Sequence, residues 1–209
     1  MQTKLEKISP LSAFAVNNIH DLHDRDLDFL SFREKLSFAN ISHPQKRLEW
    51  KGARLAVKSA LDLIPLPYPG FYKDSHGKSY SMDGYGHVSL SHCTHVAAAI
   101  FHREMPVGID LEMIREKTVT VGHKFLQEAE MEFLEQDVLL HTIAWSAKES
   151  IFKCQGRKGI SLRQHISLQR FDADTEVIKG RISGTGTSDH HYEVRVMVEG
   201  DMVLTYTIW

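Results

Sequence analysis

The sequence predicts an α+β protein built on antiparallel sheet, and three features carry that expectation. Residues 42–64 have the three- and four-residue apolar spacing of one long helix. Residues 165–209 fall into short alternating runs separated by turn residues. A seam near 102–106 separates two stretches of similar length, so the expected domains are 1–104 and 105–209.

Taken in chain order, residues 22–38 (LHDRDLDFLSFREKLSF) mix apolar and charged positions and predict a helix. Ser42 with Gln45 fits a capping box, and Pro44 suits a first helical turn. Trp50, Ala53, Val57, Ala60, Leu61 and Ile64 then give one apolar face, which Pro65 and Pro67 end. Residues 65–86, rich in Pro, Gly, Ser and Tyr, predict a loop. HVSLS at 87–91 alternates like a strand. Val96–Phe101 and the extended PVGIDLE that follows the turn-like HREM predict a hairpin. Residues 122–155 predict two helices ending at Gly156. HISLQRF, EVIKGRI, HYEVRVMVE and DMVLTYTIW predict strands, with a loop at 183–189 and a hairpin turn at Glu199-Gly200-Asp201.

Composition narrows the function. The 209 residues are 42% hydrophobic and 25% charged, which argues for a globular chain with a real core. The net charge of −2 argues against a general nucleic-acid binder. The longest unbroken apolar run, Val96 to Phe101, is far short of the ~20 residues that span a bilayer, so no membrane partner is expected. The start, MQTKLEKISPLSAFAV, lacks a secretory pattern. Cys93 and Cys154 are too few for a disulfide framework, and a reducing, cytoplasmic location is expected. The 13 histidines are scattered and form no HExxH.

Four clusters bear on chemistry. In Gly108-Ile109-Asp110-Leu111-Glu112, strand alternation puts Asp110 and Glu112 on one face and Ile109 and Leu111 on the other. The two acids repel by roughly 1–4 kcal/mol. They are either ordinary surface acids or oxygen ligands of a hard cation such as Mg²⁺. In WSAKESIFK, helical spacing aligns Trp145, Glu149 and Lys153 on one stripe, while Leu140, Ala144, Ala147, Ile151 and Cys154 form the apolar stripe. That polar stripe is either a surface ion-pair ladder or part of a site. Arg47, Lys51, Arg54 and Lys58 step by four, three and four, giving either a solvated face or a rail for phosphates or an acidic partner protein. Ser89-Leu90-Ser91-His92 is either structural or a strand end offering hydroxyl, N–H and imidazole to a phosphate. Cys93 beside it reads as small packing. Together the four clusters suit a phosphate-rich ligand held through Mg²⁺ and the transfer of a phosphoryl-linked group.

GIDLE, followed 39 positions after Asp110 by Glu149 within WSAKESIFK, closely resembles the paired signature of the 4′-phosphopantetheinyl transferases. The order and spacing are similar to those of the surfactin-type class, in which two similar α+β halves form an intramolecular pseudo-dimer. SLSHCTHVAAAI resembles the family's Ser-His segment, and RLEWKGARLAVKSAL its N-terminal basic helix. The resemblance runs over about 46–64 and 76–168.

The resemblance implies transfer of the 4′-phosphopantetheine arm of coenzyme A, the co-substrate, to a serine of an acidic apo carrier protein, with release of 3′,5′-ADP. It implies Asp110, Glu112 and Glu149 as ligands of Mg²⁺, with Mn²⁺ an alternative metal. It further implies that Glu149 helps deprotonate the serine, that Lys153 contacts the pyrophosphate and that Lys148 assists with charge. By the same resemblance Ser91 and His92 are expected to hold the 3′-phosphate end, reinforced by Arg54 and Lys58, and Glu130 matches an acid near the metal. Three positions depart from the family pattern. Lys58 stands where Arg is usual and loses the bidentate fork. Cys93 replaces a usual Ser, and Gly77-Lys78-Ser79 lacks a Pro after Gly-Lys. A chain holding both halves is expected to act as a monomer. The rival readings are a non-catalytic coenzyme A or nucleotide-binding module and a Mg²⁺-dependent phosphohydrolase.

Overall fold

The structure is a computed structural model that describes residues 3–19, 27–74, 77–156, 159–184 and 189–209. It is mixed α+β, with one six-stranded and one five-stranded sheet. The chain divides into two compact units, Met1–Val107 and Gly108–Trp209.

The first unit holds β1 (Lys4–Ser9), β2 (Ser12–Asn18), α1 (Phe32–Ala39), α2 (Pro44–Leu63), β3 (Phe71–Lys73), β4 (Ser79–Ser81), β5 (His87–His92) and β6 (Val96–His102). Its sheet order is β1-β2-β6-β5-β4-β3, and every neighbouring pair is antiparallel. All seven residues of β6 are buried. Its alanines follow from close packing with α2. A Cβ added at Gly52 would stand 2.2 Å from Ile19 Cγ2 and 3.1 Å from Ala97 Cβ. Ala13, Ala15, Ala56, Ala60 and Ala99 share one core cluster, so small side chains on sheet and helix let the two layers approach.

Several sequence expectations are corrected here. The cap of α2 is His43, whose ring nitrogen accepts from Lys46 N–H at 3.5 Å, and Pro44 fills the first turn; Ser42 plays no such part. Residues 65–86 are not all loop, because β3 and β4 pair within them. The expected hairpin of Val96–Phe101 with PVGIDLE does not form. β6 lies between β2 and β5, whereas the second segment begins the other sheet. The helix expected in 22–38 is α1, and residues 22–26 lie outside the described residues.

The second unit carries β7 (Val107–Met113), α3 (Lys117–Thr120), α4 (Glu128–Leu134), α5 (Val138–Gln155), β8 (Ile166–Leu168), β9 (Val177–Ile182), β10 (His190–Glu199) and β11 (Met202–Ile208), with sheet order β7-β11-β10-β9-β8. Asp137 caps α5 by accepting from Leu140 N–H at 2.8 Å. Gly156 ends it at φ 63°, a left-handed conformation in which its N–H reaches Phe152 O. Ala144, Ala147, Ile151 and Cys154 of α5 are fully buried among Ile166, Ile178, Val194 and Val203 of the sheet. The turn at 199–201 joins β10 to β11. Of the loop expected at 183–189, residues 185–188 lie outside the described residues.

Candidate active site

Alternation along β7 sends Ile109 (0% exposed) and Leu111 (1%) into the core and turns Asp110 and Glu112 the other way. On α5, Trp145, Glu149 and Lys153 share one stripe, and all three are half-buried. What holds strand and helix together at this point is Gly108. A Cβ there would stand 1.9 Å from Ser150 O and 2.7 Å from Cys154 N, so only glycine lets β7 lie directly on the α5 backbone.

This approach joins the two motifs. Lys153 Nζ donates to Asp110 Oδ1 at 2.6 Å. Trp145 Nε1 donates to Glu112 Oε1 at 2.9 Å. Burial and the Asp110 charge raise the Glu112 carboxyl above its ordinary pKa, and the indole bond opposes the rise. Burial pushes the Glu149 carboxyl up to about 7; Asp110 and Glu112 add to the shift and Lys153 opposes it. Three carboxylates therefore share one field, which Lys153 offsets at Glu112 and Glu149 and Arg115 offsets at Glu112.

Lys148 sits elsewhere. It was expected to assist with charge at the coenzyme A site, and it is 0% exposed. Its Nζ donates to Glu130 Oε2 at 2.6 Å, Phe125 O at 2.9 Å, Ile166 O at 2.8 Å and Leu162 O at 3.2 Å. Burial lowers its pKa, and Glu130 opposes the fall. Glu130 is fully committed as well. Its Oε2 accepts from Gln127 N–H at 2.7 Å, closing the capping box of α4, and its Oε1 accepts from Leu168 N–H at 2.8 Å. The pair pins α4, α5 and β8 to one another, and both side chains are engaged inside the second unit.

The middle of the basic stripe of α2 is likewise turned inward. Arg54 is 4% exposed. Its Nε donates to Glu34 Oε1 at 2.7 Å and its guanidinium lies 4.6 Å from the Trp50 ring centroid. Glu34 Oε1 also accepts from Tyr68 OH at 2.9 Å and from Phe71 N–H at 3.1 Å. Arg47 donates to Phe38 O and Ile41 O and covers the Phe38 ring. Lys51 is 2% exposed. Lys58 pairs with Asp62 one turn on. Lys51 and Arg54 are thus buried packing while Arg47 and Lys58 stay half-exposed, so the stripe is not the continuous exposed rail its spacing suggested. Ser91 is buried on β5, and His92 at the strand's end is exposed with Nδ1 3.7 Å from Glu49 Oε2.

The sequence reading assigned no role to Gly108, Glu34 or Tyr68, and it put Trp145 on the Glu149/Lys153 stripe without pairing it to Glu112. The Ser31/Glu34 capping box has the Ser-x-x-Glu form that a sequence shows and was the available signal for Glu34, whereas Gln127 is not a usual cap residue and left Glu130 without one.

Among the described residues, no group of three His, Cys, Asp or Glu side chains is arranged to hold a metal ion. Asp110 is turned onto Lys153 instead. The donor set still suits Mg²⁺, which takes one or two carboxylates and completes its shell with water and substrate phosphate oxygens. Crowded all-oxygen acids are the chemistry such an ion relieves.

Residues 106–207 match the family model of the 4′-phosphopantetheinyl transferase superfamily, a family of phosphopantetheinyl transfer. The match takes in β7, α5 and both acid motifs. No curated protein matches the chain. No helix among the described residues is long and apolar enough to cross a membrane.

Proposed function

We propose that this chain transfers the 4′-phosphopantetheine group from coenzyme A to a serine of an apo carrier protein in a Mg²⁺-dependent reaction, releasing 3′,5′-ADP. The observation that carries the reading is the family match over 106–207, joined to the 2.6 Å Lys153–Asp110 contact that unites its two motifs. The finer identity, a surfactin-type pseudo-dimer acting as a cytoplasmic monomer on an acidic carrier, belongs to the same proposal.

Asp110, Glu112 and Glu149 would hold the metal through oxygen. Bound there, Mg²⁺ supplies neutralisation of the diphosphate charge. Lys153, now on Asp110, is the cation positioned to meet a pyrophosphate oxygen. Glu149 takes the proton of the carrier serine hydroxyl, directly or through water. The serine Oγ–phosphorus bond forms at the β-phosphorus as the bond to 3′,5′-ADP breaks. Ser91, His92 and Lys58 are the proposed contacts for the 3′-phosphate end. Arg54 and Lys148 are withdrawn from ligand contact because Glu34 and Glu130 hold them in the core.

Intact mass spectrometry of apo carrier proteins incubated with coenzyme A and Mg²⁺ tests the reading. The expected result is the gain of one phosphopantetheine arm, reduced by at least ~10²-fold in rate by Glu149→Gln. Full turnover by Glu149→Gln overturns the assignment. Phosphate or pantetheine phosphate released without a carrier would make the protein a hydrolase.

A further inference from the structure

We infer that Trp145 is the positioning residue for Glu112, and that its indole N–H sets how tightly the acid cluster binds a divalent cation. The inference rests on the metal-binding part of the reading above.

The indole bond fixes one carboxylate oxygen. Trp145 Nε1 donates to Glu112 Oε1 at 2.9 Å, so one oxygen of this carboxylate is committed to the indole. A carboxylate on a half-buried strand position otherwise rotates about its terminal torsion, whose rotamer well is broad. Holding one oxygen removes that freedom before the ion arrives. Groups that orient metal ligands in this way typically change affinity 10–100-fold when lost.

The indole is itself held. Its ring meets Phe125 edge-on, with centroids 4.9 Å apart and planes at 77°. Phe125 is 1% exposed, and its carbonyl accepts from the buried Lys148 at 2.9 Å. A chain of fixed groups thus runs Glu130, Lys148, Phe125, Trp145, Glu112. Lys148, the buried cation next to Glu149 in sequence, thus supports the carbonyl of the residue against which the indole packs.

The test is Trp145→Phe, which keeps a ring against Phe125 and deletes the donor. Binding of Mn²⁺ with coenzyme A present is measured without turnover, by electron paramagnetic resonance of the free ion. The expected result is a metal Kd raised about 10–100-fold, with Tm close to wild type. Activity should return when Mg²⁺ is raised in proportion. Unchanged metal affinity overturns the inference, as does lost activity that added Mg²⁺ does not restore. A wild-type protein that binds no divalent ion with coenzyme A present defeats the function proposed above instead. If Trp145→Phe does not fold, ¹⁵N-indole spectra of the wild-type protein decide. The three tryptophans are assigned with Trp50→Phe and Trp209→Phe. The Trp145 signal should shift with Mg²⁺ over the range in which the metal binds, and a signal that stays put overturns the inference.

Discussion

Lys148 Nζ lies 2.6 Å from Glu130 Oε2 inside the second unit, and the side chains are 0% and 4% exposed. A buried pair does not have to stabilise a fold relative to an apolar one, but removing a single partner strands a charge.

Lys148→Met should therefore act on stability. The expected loss is roughly 3–5 kcal/mol, because Glu130 and three carbonyls lose their donor. Adding Glu130→Leu to the same protein should recover part of it. Urea unfolding of the single and double variants measures both. A single variant that keeps its midpoint and loses only coenzyme A affinity would return Lys148 to the ligand.

Arg54→Ala should behave in the same manner in the first unit. Glu34, 1% exposed, would keep its Tyr68 and Phe71 donors and lose its cation. A loss of about 3–5 kcal/mol is expected on the same argument. A raised KM for coenzyme A with unchanged unfolding would place Arg54 at the ligand.

Gly108→Ala has no room. The new methyl would meet the Ser150 carbonyl and the Cys154 amide, both backbone atoms of α5 that cannot swing aside. Overpacking of this kind costs about 1–3 kcal/mol and sometimes more. Strand and helix must part, which should break the Lys153–Asp110 contact and depress transfer activity beyond the stability loss. Calorimetry with activity assays at a temperature where the variant is folded checks this. Wild-type rates would show that the spacing does not matter.

His102 should make the first unit acid-sensitive. Its Nδ1 accepts two backbone N–H groups, from Glu104 at 3.0 Å and Met105 at 2.9 Å, so protonation at that atom breaks both. Burial lowers its pKa, Glu104 opposes the fall and His87 adds to it. A folded pKa below the unfolded value of 6.5 means the unfolded chain binds more protons just below 6.5. Its stabilisation is thus complete above pH 6.5 and lost as pH falls through the folded pKa. Thermal unfolding between pH 7.5 and 5.5 should show a smaller acid decline in His102→Gln than in wild type. Parallel curves would remove the effect.

Local patterns were legible where one face of an element is buried and the other is not. The α2 face from Ala53 to Ile64 is of this kind; in β7 the alternation was legible from residue type, with Asp110 and Glu112 between Ile109 and Leu111, although Asp110 is itself buried. The core of β2, SAFAV, is buried on both faces and shows no alternation, so it gave no periodic signal. The alanines of β6 argue for helix by propensity and become strand because α2 packs close above them. The site divides along the same line. Both acids of β7 and the Glu149/Lys153 stripe follow from spacing. That Lys148 and Arg54 point inward depends on Glu130 and Glu34, glutamates 18 and 20 residues away whose placement only tertiary packing fixes.

β7 has its neighbour in β11, so the strand bearing Asp110 must wait for residues 202–208. At roughly 5–20 residues per second of ribosomal synthesis, the interval from residue 107 to residue 202 is about 5–20 seconds. Throughout it Ile109 and Leu111 emerge with their final mate still untranslated. The acid-bearing segment is made early in its unit and locked last, so a nascent chain stalled short of residue 202 presents a sticky, inactive edge.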